Sequence, residues 1–82
     1  MLKQNVVVSR ELDLHQAALL VQAASRYQSQ VYISVDEKRA NAKSMMGLVA
    51  LGLQNGLAVE VSAEGPDEAE AVAGLAAELT KK

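Results

Sequence analysis

The chain has 82 residues, no cysteine and a formal net charge of −2 at pH 7. That size leaves room for one small domain, and the lack of cysteine excludes disulfides, a thiol nucleophile, a zinc–thiolate site and an iron–sulfur cluster. The chain has eight basic and ten acidic side chains, and Tyr27 and Tyr32 are its only aromatic residues. It therefore lacks the basic excess and the stacking rings of nucleic-acid-binding domains. Direct binding to nucleic acid is therefore not expected.

The N-terminal residues carry no sign of a targeting segment. Residues 1–5 lack the apolar run of about 7–15 residues that a signal peptide requires. No window approaches the roughly 18–20 uninterrupted apolar residues of a membrane span. We therefore predict a cytoplasmic protein without membrane insertion, in which a single domain occupies residues 1–82.

The first half of the chain predicts a strand, a helix and a second strand. A β-branched run favours a strand over Leu2–Ser9, and the charged segment Arg10–His15 follows it as a loop. Helical spacing of apolar residues then predicts a helix over Gln16–Gln28. The apolar positions of this helix are Ala17, Leu20, Val21 and Ala24. Alternating apolar and polar residues over Val31–Val35 predict a strand whose sheet has one buried face.

The middle of the chain predicts a short helix between two strands. A short extended segment at Arg39–Asn41 leads to Asn41, which we expect to cap a helix over Ser44–Leu51. The helix should stop at Asn55–Gly56, since both residues tolerate the left-handed conformation that ends many helices. Alternation over Ala58–Ala63 predicts another strand.

A final helix is predicted after the break at Gly65–Pro66. Asp67 and Glu70 have the spacing of a capping box, and Lys81–Lys82 suit the C-terminal end of the helix. The predicted buried stripe consists of Ala69, Val72, Ala73, Ala76 and Leu79. The resulting order, β-α-β-β-α-β-α, is satisfied by an α+β fold in two layers, a largely antiparallel four-stranded sheet with three helices on one side.

His15 is one candidate functional residue, at a predicted junction between loop and helix. A neutral imidazole there is able to act as a nucleophile, because the backbone N–H groups of a helix start stabilise a phosphoryl group placed on it. The alternative is a solvated surface histidine, and spacing alone favours that second interpretation.

Ser44 is the second candidate, in the first turn of the short helix. Phosphorylation stabilises this position, because the added charge meets unpaired N–H donors and the neighbouring Lys43 contributes a cation. Met45 and Met46 are adjacent on one helix, so at least one of them points away from the core and suits an adaptable partner surface. A serine that only caps the helix is the alternative.

The acidic stretch from Glu60 to Glu70 is the third segment considered. Its carboxylates follow strand alternation and helix capping, so no metal cage is indicated and we expect a solvated face. No cofactor is expected either.

Two segments and the order of elements carry a resemblance to a known family. The chain reads Asn-Ala-Lys-Ser-Met-Met-Gly-Leu over residues 41–48 and Ala-Ala-Leu-Leu-Val-Gln over residues 17–22. It resembles the HPr family of bacterial sugar phosphotransferase systems and its catabolite-repression relative, Crh. The resemblance implies an open-faced β-sandwich, a four-stranded antiparallel sheet covered by three helices. It also implies a phospho-acceptor protein and not an enzyme.

The resemblance assigns a regulatory role to Ser44. In the family, the serine of this block is phosphorylated by HPr kinase/phosphorylase with ATP. The phosphoserine form then binds the transcription regulator catabolite control protein A. The corresponding docking surface here would be Met45, Met46 and Val49, beside Lys43. Any link to DNA in carbon catabolite repression then passes through that partner.

The active-site loop departs from the family pattern. Phosphocarriers read Gly-Leu-His-Ala-Arg-Pro-Ala, in which the histidine takes phosphate from enzyme I and passes it to a sugar permease component. An alignment without a gap before Ala17 puts Asp13 at the histidine position and His15 at the arginine position. The rival alignment matches Leu14 and His15 to Leu-His and deletes two residues from the turn that caps the helix. We favour the first, because surface loops absorb length changes more easily than capped helix ends.

Overall fold

The computed structural model describes residues 1–9 and 11–81, and these contain four strands and three helices in the predicted order. The strands are β1 (Leu2–Val7), β2 (Gln30–Val35), β3 (Lys38–Asn41) and β4 (Ala58–Glu64), and the helices are α1 (Leu14–Ser25), α2 (Met45–Leu51) and α3 (Glu68–Thr80). Arg10, in the predicted first loop, and Lys82, at the predicted end of the last helix, lie outside the described residues.

The four strands form one antiparallel sheet in the order β1-β4-β2-β3. In its register Val6 lies opposite Val59 and Ile33 opposite Val61, so apolar residues of neighbouring strands share one face. All three helices cover that face: α3 packs on β1, β2 and β4, α2 packs on β3, and α1 packs on the other two helices. The predicted two-layer α+β fold is thus confirmed.

The core is aliphatic and lies between the sheet and the helices. Its fully buried side chains include Ile33 in β2, Val61 in β4 and Leu75 and Leu79 in α3. The opposite face of the sheet is open, and there the guanidinium of Arg39 lies 4.4 Å from the centre of the Tyr32 ring.

Helix α1 begins at Leu14 and not at the predicted Gln16, because Asp13 caps it. The Asp13 carboxylate accepts a hydrogen bond from the Gln16 N–H at 2.9 Å. His15, predicted to lie in a loop, is therefore the second residue of the helix. The helix also ends earlier than the predicted Gln28, since Arg26 is its C-cap.

Helix α2 is capped by Ser44 and not by the predicted Asn41. The Asn41 side chain instead accepts a hydrogen bond from the Lys43 N–H at 2.8 Å, which closes a turn just before the helix. The helix ends at Leu51 because Gly52 adopts the left-handed conformation, with φ 66° and ψ 48°. The predicted stop at Asn55–Gly56 is therefore too late.

The predicted capping box of α3 is absent. Asp67 occupies the N-cap position, but its side chain makes no capping hydrogen bond. The carboxylate instead accepts hydrogen bonds from the N–H groups of Gln28 and Ser29, just before β2. A different acid, Glu68, reaches back one turn and accepts from the Gly65 N–H at 3.2 Å.

The buried face of α3 is only partly the predicted one. Ala69 and Ala73 are exposed, while the buried residues are Ala71, Val72, Leu75, Ala76 and Leu79. Alanine has too little apolar surface to fix the face of a helix, so an alanine-rich pattern is ambiguous. The large side chain of Leu75, which the predicted stripe omitted, decides which face is buried.

Candidate functional site

The backbone around Ser44 holds its hydroxyl at the start of α2. The Ser44 N–H donates to the Asn41 carbonyl at 2.9 Å, and the Ser44 carbonyl accepts from the Leu48 N–H at 3.1 Å. The Ser44 Oγ accepts from the Gly47 N–H at 3.2 Å. These bonds fix the serine from both sides while its side chain stays half-exposed.

Gly47 allows α2 to approach β3 closely beside this serine. A Cβ at position 47 would lie 3.2 Å from the Cβ of Ala40 and 3.5 Å from the Ser44 Oγ. The missing side chain therefore leaves the serine oxygen accessible. A larger residue would crowd both the hydroxyl and the strand.

An apolar surface lies next to Ser44 on the outer side of α2. Met45 is 37% exposed, Met46 82% and Val49 48%, while Leu48 turns inward. We call Met45, Met46 and Val49 the methionine patch. The patch combines two flexible thioether side chains with an aliphatic one, a surface suited to binding partners of more than one shape.

The Lys43 side chain reaches the end of α1. Its Nζ donates a hydrogen bond to the Tyr27 carbonyl at 2.8 Å. Tyr27 directly follows the C-cap of α1, so the lysine ammonium lies near the negative end of that helix. The side chain predicted to face a partner thus links α2 to α1 in this structure.

Asp13, and not His15, supplies the capping group at the start of α1. The Asp13 carbonyl also accepts from the Ala17 N–H at 2.8 Å, so the residue holds the first turn through both side chain and backbone. His15 is exposed and makes no side-chain hydrogen bond to any described residue. Leu14, beside it, is 64% exposed, an apolar surface residue that sequence reasoning did not single out.

The two candidate residues lie at opposite ends of the α1–α2 pair. The Leu12 N–H donates to the Leu53 carbonyl at 3.3 Å, which joins the start of α1 to the end of α2. The Lys43–Tyr27 bond joins the end of α1 to the start of α2. The helices are therefore antiparallel, and Ser44 and His15 do not form one site.

Asp67 belongs to a hydrogen-bonded network, although the stretch Glu60–Glu70 was predicted to be a solvated face. The buried Ser29 hydroxyl donates to the Asp67 carboxylate, and the Gln28 and Ser29 N–H groups donate to it at 3.0 Å and 2.9 Å. The Ser29 hydroxyl and then the Gln28 amide are the main groups that hold the pKa of Asp67 below its ordinary value of 3.8. The contact joins residues 38 positions apart, so no local pattern could have revealed it.

Within the described ranges, no helix combines the length and the apolar character that crossing a membrane requires.

Comparison with known proteins identifies the family. A family model described as "PTS HPr component phosphorylation site" matches residues 2–81. The chain therefore belongs to the PTS-HPr family, the HPr- and Crh-like phosphocarrier proteins of the phosphotransferase system. The resemblance carried by residues 41–48 and 17–22 is thus confirmed.

The relatives include both HPr and Crh proteins. The chain is 44% identical over 75 residues to the HPr-like protein Crh of Bacillus subtilis, covering 92% of this chain and 88% of Crh. It is 39% identical over 77 residues to the phosphocarrier protein HPr of Neisseria meningitidis, covering 92% and 86%. The crystal structure of the phosphocarrier protein HPr from Bacillus anthracis superposes with a TM-score of 0.92 at 37% identity, covering 96% of each chain.

Proposed function

We propose that this protein is a regulatory member of the HPr family that acts in carbon catabolite repression. Ser44 is phosphorylated by HPr kinase/phosphorylase, and the modified protein binds catabolite control protein A. The observation that carries the proposal is the position of Ser44, a half-exposed N-cap hydroxyl directly beside the exposed methionine patch. The protein serves as the phospho-acceptor and the kinase supplies the catalysis.

The chemistry of the modification fits this geometry. The Ser44 Oγ attacks the γ-phosphorus of ATP, the bond to the leaving ADP oxygen breaks, and the hydroxyl proton passes to a base of the kinase. The product carries a charge of about −1.5 to −2 at neutral pH. The Gly47 N–H already points at the Oγ, so a donor for the phosphate is in place before the reaction.

Modification then places a dianion next to an apolar surface. Met46 is the most exposed residue of the methionine patch, at 82%, so a partner is able to bury it without any change in the fold. A partner that offers cationic groups beside an apolar pocket recognises both parts together. The unmodified protein presents only the apolar part, which makes binding dependent on phosphorylation.

Incubation with HPr kinase/phosphorylase and ATP tests the modification. Mass spectrometry should show the addition of one phosphate, which Ser44→Ala abolishes. The control is Ser25→Ala, which removes an exposed serine hydroxyl from α1 and should leave the reaction intact. If the native protein gains no phosphate, the proposal is wrong.

Replacement of Met46 by aspartate tests the docking surface. We expect Met46→Asp to weaken binding of the phosphorylated protein to catabolite control protein A by about tenfold or more, since it places a charge in an apolar contact. Leu19→Asp is the control, because Leu19 is 40% exposed on α1 and lies outside the patch. Equal binding by the Met46 variant and the native protein, measured by titration calorimetry, would contradict the proposed surface.

Phosphoryl relay through His15 receives less support from the geometry. The capping position at the start of α1 belongs to Asp13, so the imidazole lies on the flank of the first turn. A relay would give an acid-labile, base-stable adduct after incubation with enzyme I and phosphoenolpyruvate, and His15→Gln would lose it. Absence of the adduct agrees with a regulatory protein, and its formation would establish a phosphocarrier instead.

A further inference from the structure

Lys43 is a half-buried cation whose charge has no carboxylate partner in the described ranges. Its Nζ makes a hydrogen bond to a neutral acceptor, the Tyr27 carbonyl, at 2.8 Å. The ion pairs found among the described residues involve other groups, such as Lys81 with Glu78. The ammonium is therefore held at the end of α1 by a carbonyl and by the helix dipole alone.

Lys43 also directly precedes the residue proposed for modification. Consecutive Cα atoms are about 3.8 Å apart, and a lysine ammonium sits on a flexible four-carbon stem with three donor hydrogens. A phosphate on the Ser44 Oγ is within reach of that ammonium after rotation of the stem. The cation and the dianion then meet without movement of the backbone.

We propose that Lys43 is the internal counter-ion of phosphorylated Ser44, and that its ammonium leaves the Tyr27 carbonyl for the phosphate. The inference rests on the proposed function, because it concerns the same serine. A bond from the ammonium to the phosphate adds the attraction between opposite charges, which a neutral carbonyl acceptor does not provide. Tyr27 is half-exposed, so water is able to replace the lysine at its carbonyl.

The exchange carries the modification beyond α2. Tyr27 packs against Gly74 of α3, where an added Cβ would overlap the tyrosine hydroxyl and ring. Loss of the lysine bond therefore changes the hydrogen bonding of a residue whose side chain contacts α3.

The test uses protein that is phosphorylated without a kinase. Because the chain has no cysteine, it can be assembled from two synthetic peptides joined at Ala42, with the ligation cysteine converted to the native alanine. Phosphoserine is incorporated at position 44 during synthesis. The native sequence, Lys43→Met and Lys3→Met are each prepared with serine and with phosphoserine, and their unfolding is measured in urea at low salt.

We expect the phosphate to raise the folding equilibrium constant about fivefold more in the native sequence than in Lys43→Met, as for a partly buried, charge-assisted pair. Lys3→Met removes an exposed cation from β1, the strand at the opposite edge of the sheet from β3, and should behave like the native sequence. An equal effect of phosphate in Lys43→Met and the native chain would overturn the inference. So would a loss of the effect in Lys3→Met as large as in Lys43→Met, since the attraction would then be nonspecific.

The Tyr27 carbonyl gives a second measurement, by its ¹³C chemical shift. Phosphorylation should move this shift in the native chain towards its value in unphosphorylated Lys43→Met, and should leave it unchanged in that variant. If the ¹³C shift of the Tyr27 carbonyl in the native chain does not change on phosphorylation, the exchange of partners is contradicted. Failure of the kinase to modify Ser44 would refute the proposed function alone. The synthetic proteins carry phosphoserine without a kinase, so they test the role of Lys43 independently.

Discussion

Asp13 and Ser44 have the same structural task at the starts of α1 and α2. Each side-chain oxygen accepts the N–H of the residue three positions on, Gln16 for Asp13 and Gly47 for Ser44. Such a cap typically contributes about 1 kcal/mol to stability. The two caps differ in charge, since Asp13 places a fixed carboxylate at its helix while Ser44 gains charge only on modification.

Substitution of Asp13 tests its capping role. Asp13→Ala should lower the free energy of unfolding by about 1 kcal/mol, and Asp13→Asn should cost less because the amide oxygen still accepts the Gln16 N–H. His15→Ala, on the exposed flank of the same turn, should change it by less than about 0.5 kcal/mol. Urea denaturation of the three variants measures this, and a larger loss for His15→Ala than for Asp13→Ala would contradict the assignment of the cap.

The carboxylate of Asp67 predicts a pH dependence. Its pKa is lowered by the Ser29 hydroxyl and then by the Gln28 amide, so the native state holds the charged form more strongly than the unfolded chain does. The stability that Asp67 contributes is therefore present above its ordinary pKa of 3.8 and is lost as the pH falls through the lower native value.

Comparison of the native protein with Asp67→Asn isolates this contribution. The native protein should be the more stable of the two near neutral pH, and the difference should shrink as the pH falls below about 4. Glu70→Gln, an exposed change in the first turn of α3, should show no comparable change with pH. A difference for Asp67→Asn that stays constant from pH 7 to pH 2 would argue against the role of the charge.

At the level of elements, the contact between α1 and α3 depends on a glycine. Gly74 lies in the middle of α3, where alanine would normally favour the helix by about 1 kcal/mol. Here an added methyl group would collide with the hydroxyl and ring of Tyr27, which packs against the core. Overpacking of this kind usually costs about 1–3 kcal/mol, so the collision outweighs the gain in helix propensity.

Gly74→Ala should therefore lower the free energy of unfolding of the native protein by about 1 kcal/mol. The sign should reverse in a Tyr27→Ala background, where the ring is gone and helix propensity alone acts. Urea denaturation of the four chains measures both effects. A stabilising Gly74→Ala in the native background would show that Tyr27 yields easily and that its contact with α3 is loose.

Elements and their order follow from local patterns, while their ends and cross-links do not. The strands at Val31–Val35 and Ala58–Ala63 were predicted closely because alternation is a local signal. The capping role of Asp13 was missed and that of Ser44 was given only as an alternative, since several polar residues near each helix start could have served. The bonds from Lys43 to Tyr27 and from Asp67 to Ser29 depend on how α1, β2 and α3 assemble, which spacing along the chain does not encode.

For the molecule as a whole, stability comes from an aliphatic core between the sheet and the helices. Ile33 lies in the interior strand β2, fully buried among valine and leucine side chains. Ile33→Val should lower the free energy of unfolding by about 1 kcal/mol, which lowers the Tm of a protein this small by about 4–8 °C. Val49→Ala removes two carbons, one more than Ile33→Val, but from the exposed methionine patch, so it should lower the Tm less. Equal shifts for both variants in thermal denaturation would contradict the burial of Ile33.

The stacked pair of Arg39 and Tyr32 on the open face of the sheet has a practical consequence. The chain contains no tryptophan or phenylalanine, so the rings of Tyr27 and Tyr32 are its only near-ultraviolet chromophores. Tyr27 lies in the helical layer and Tyr32 on the opposite side of the sheet. A variant that lacks one of the two tyrosines absorbs in the near ultraviolet through a single ring, which lies in one layer only. The order in which the two layers loosen can therefore be read from absorbance, without an added dye.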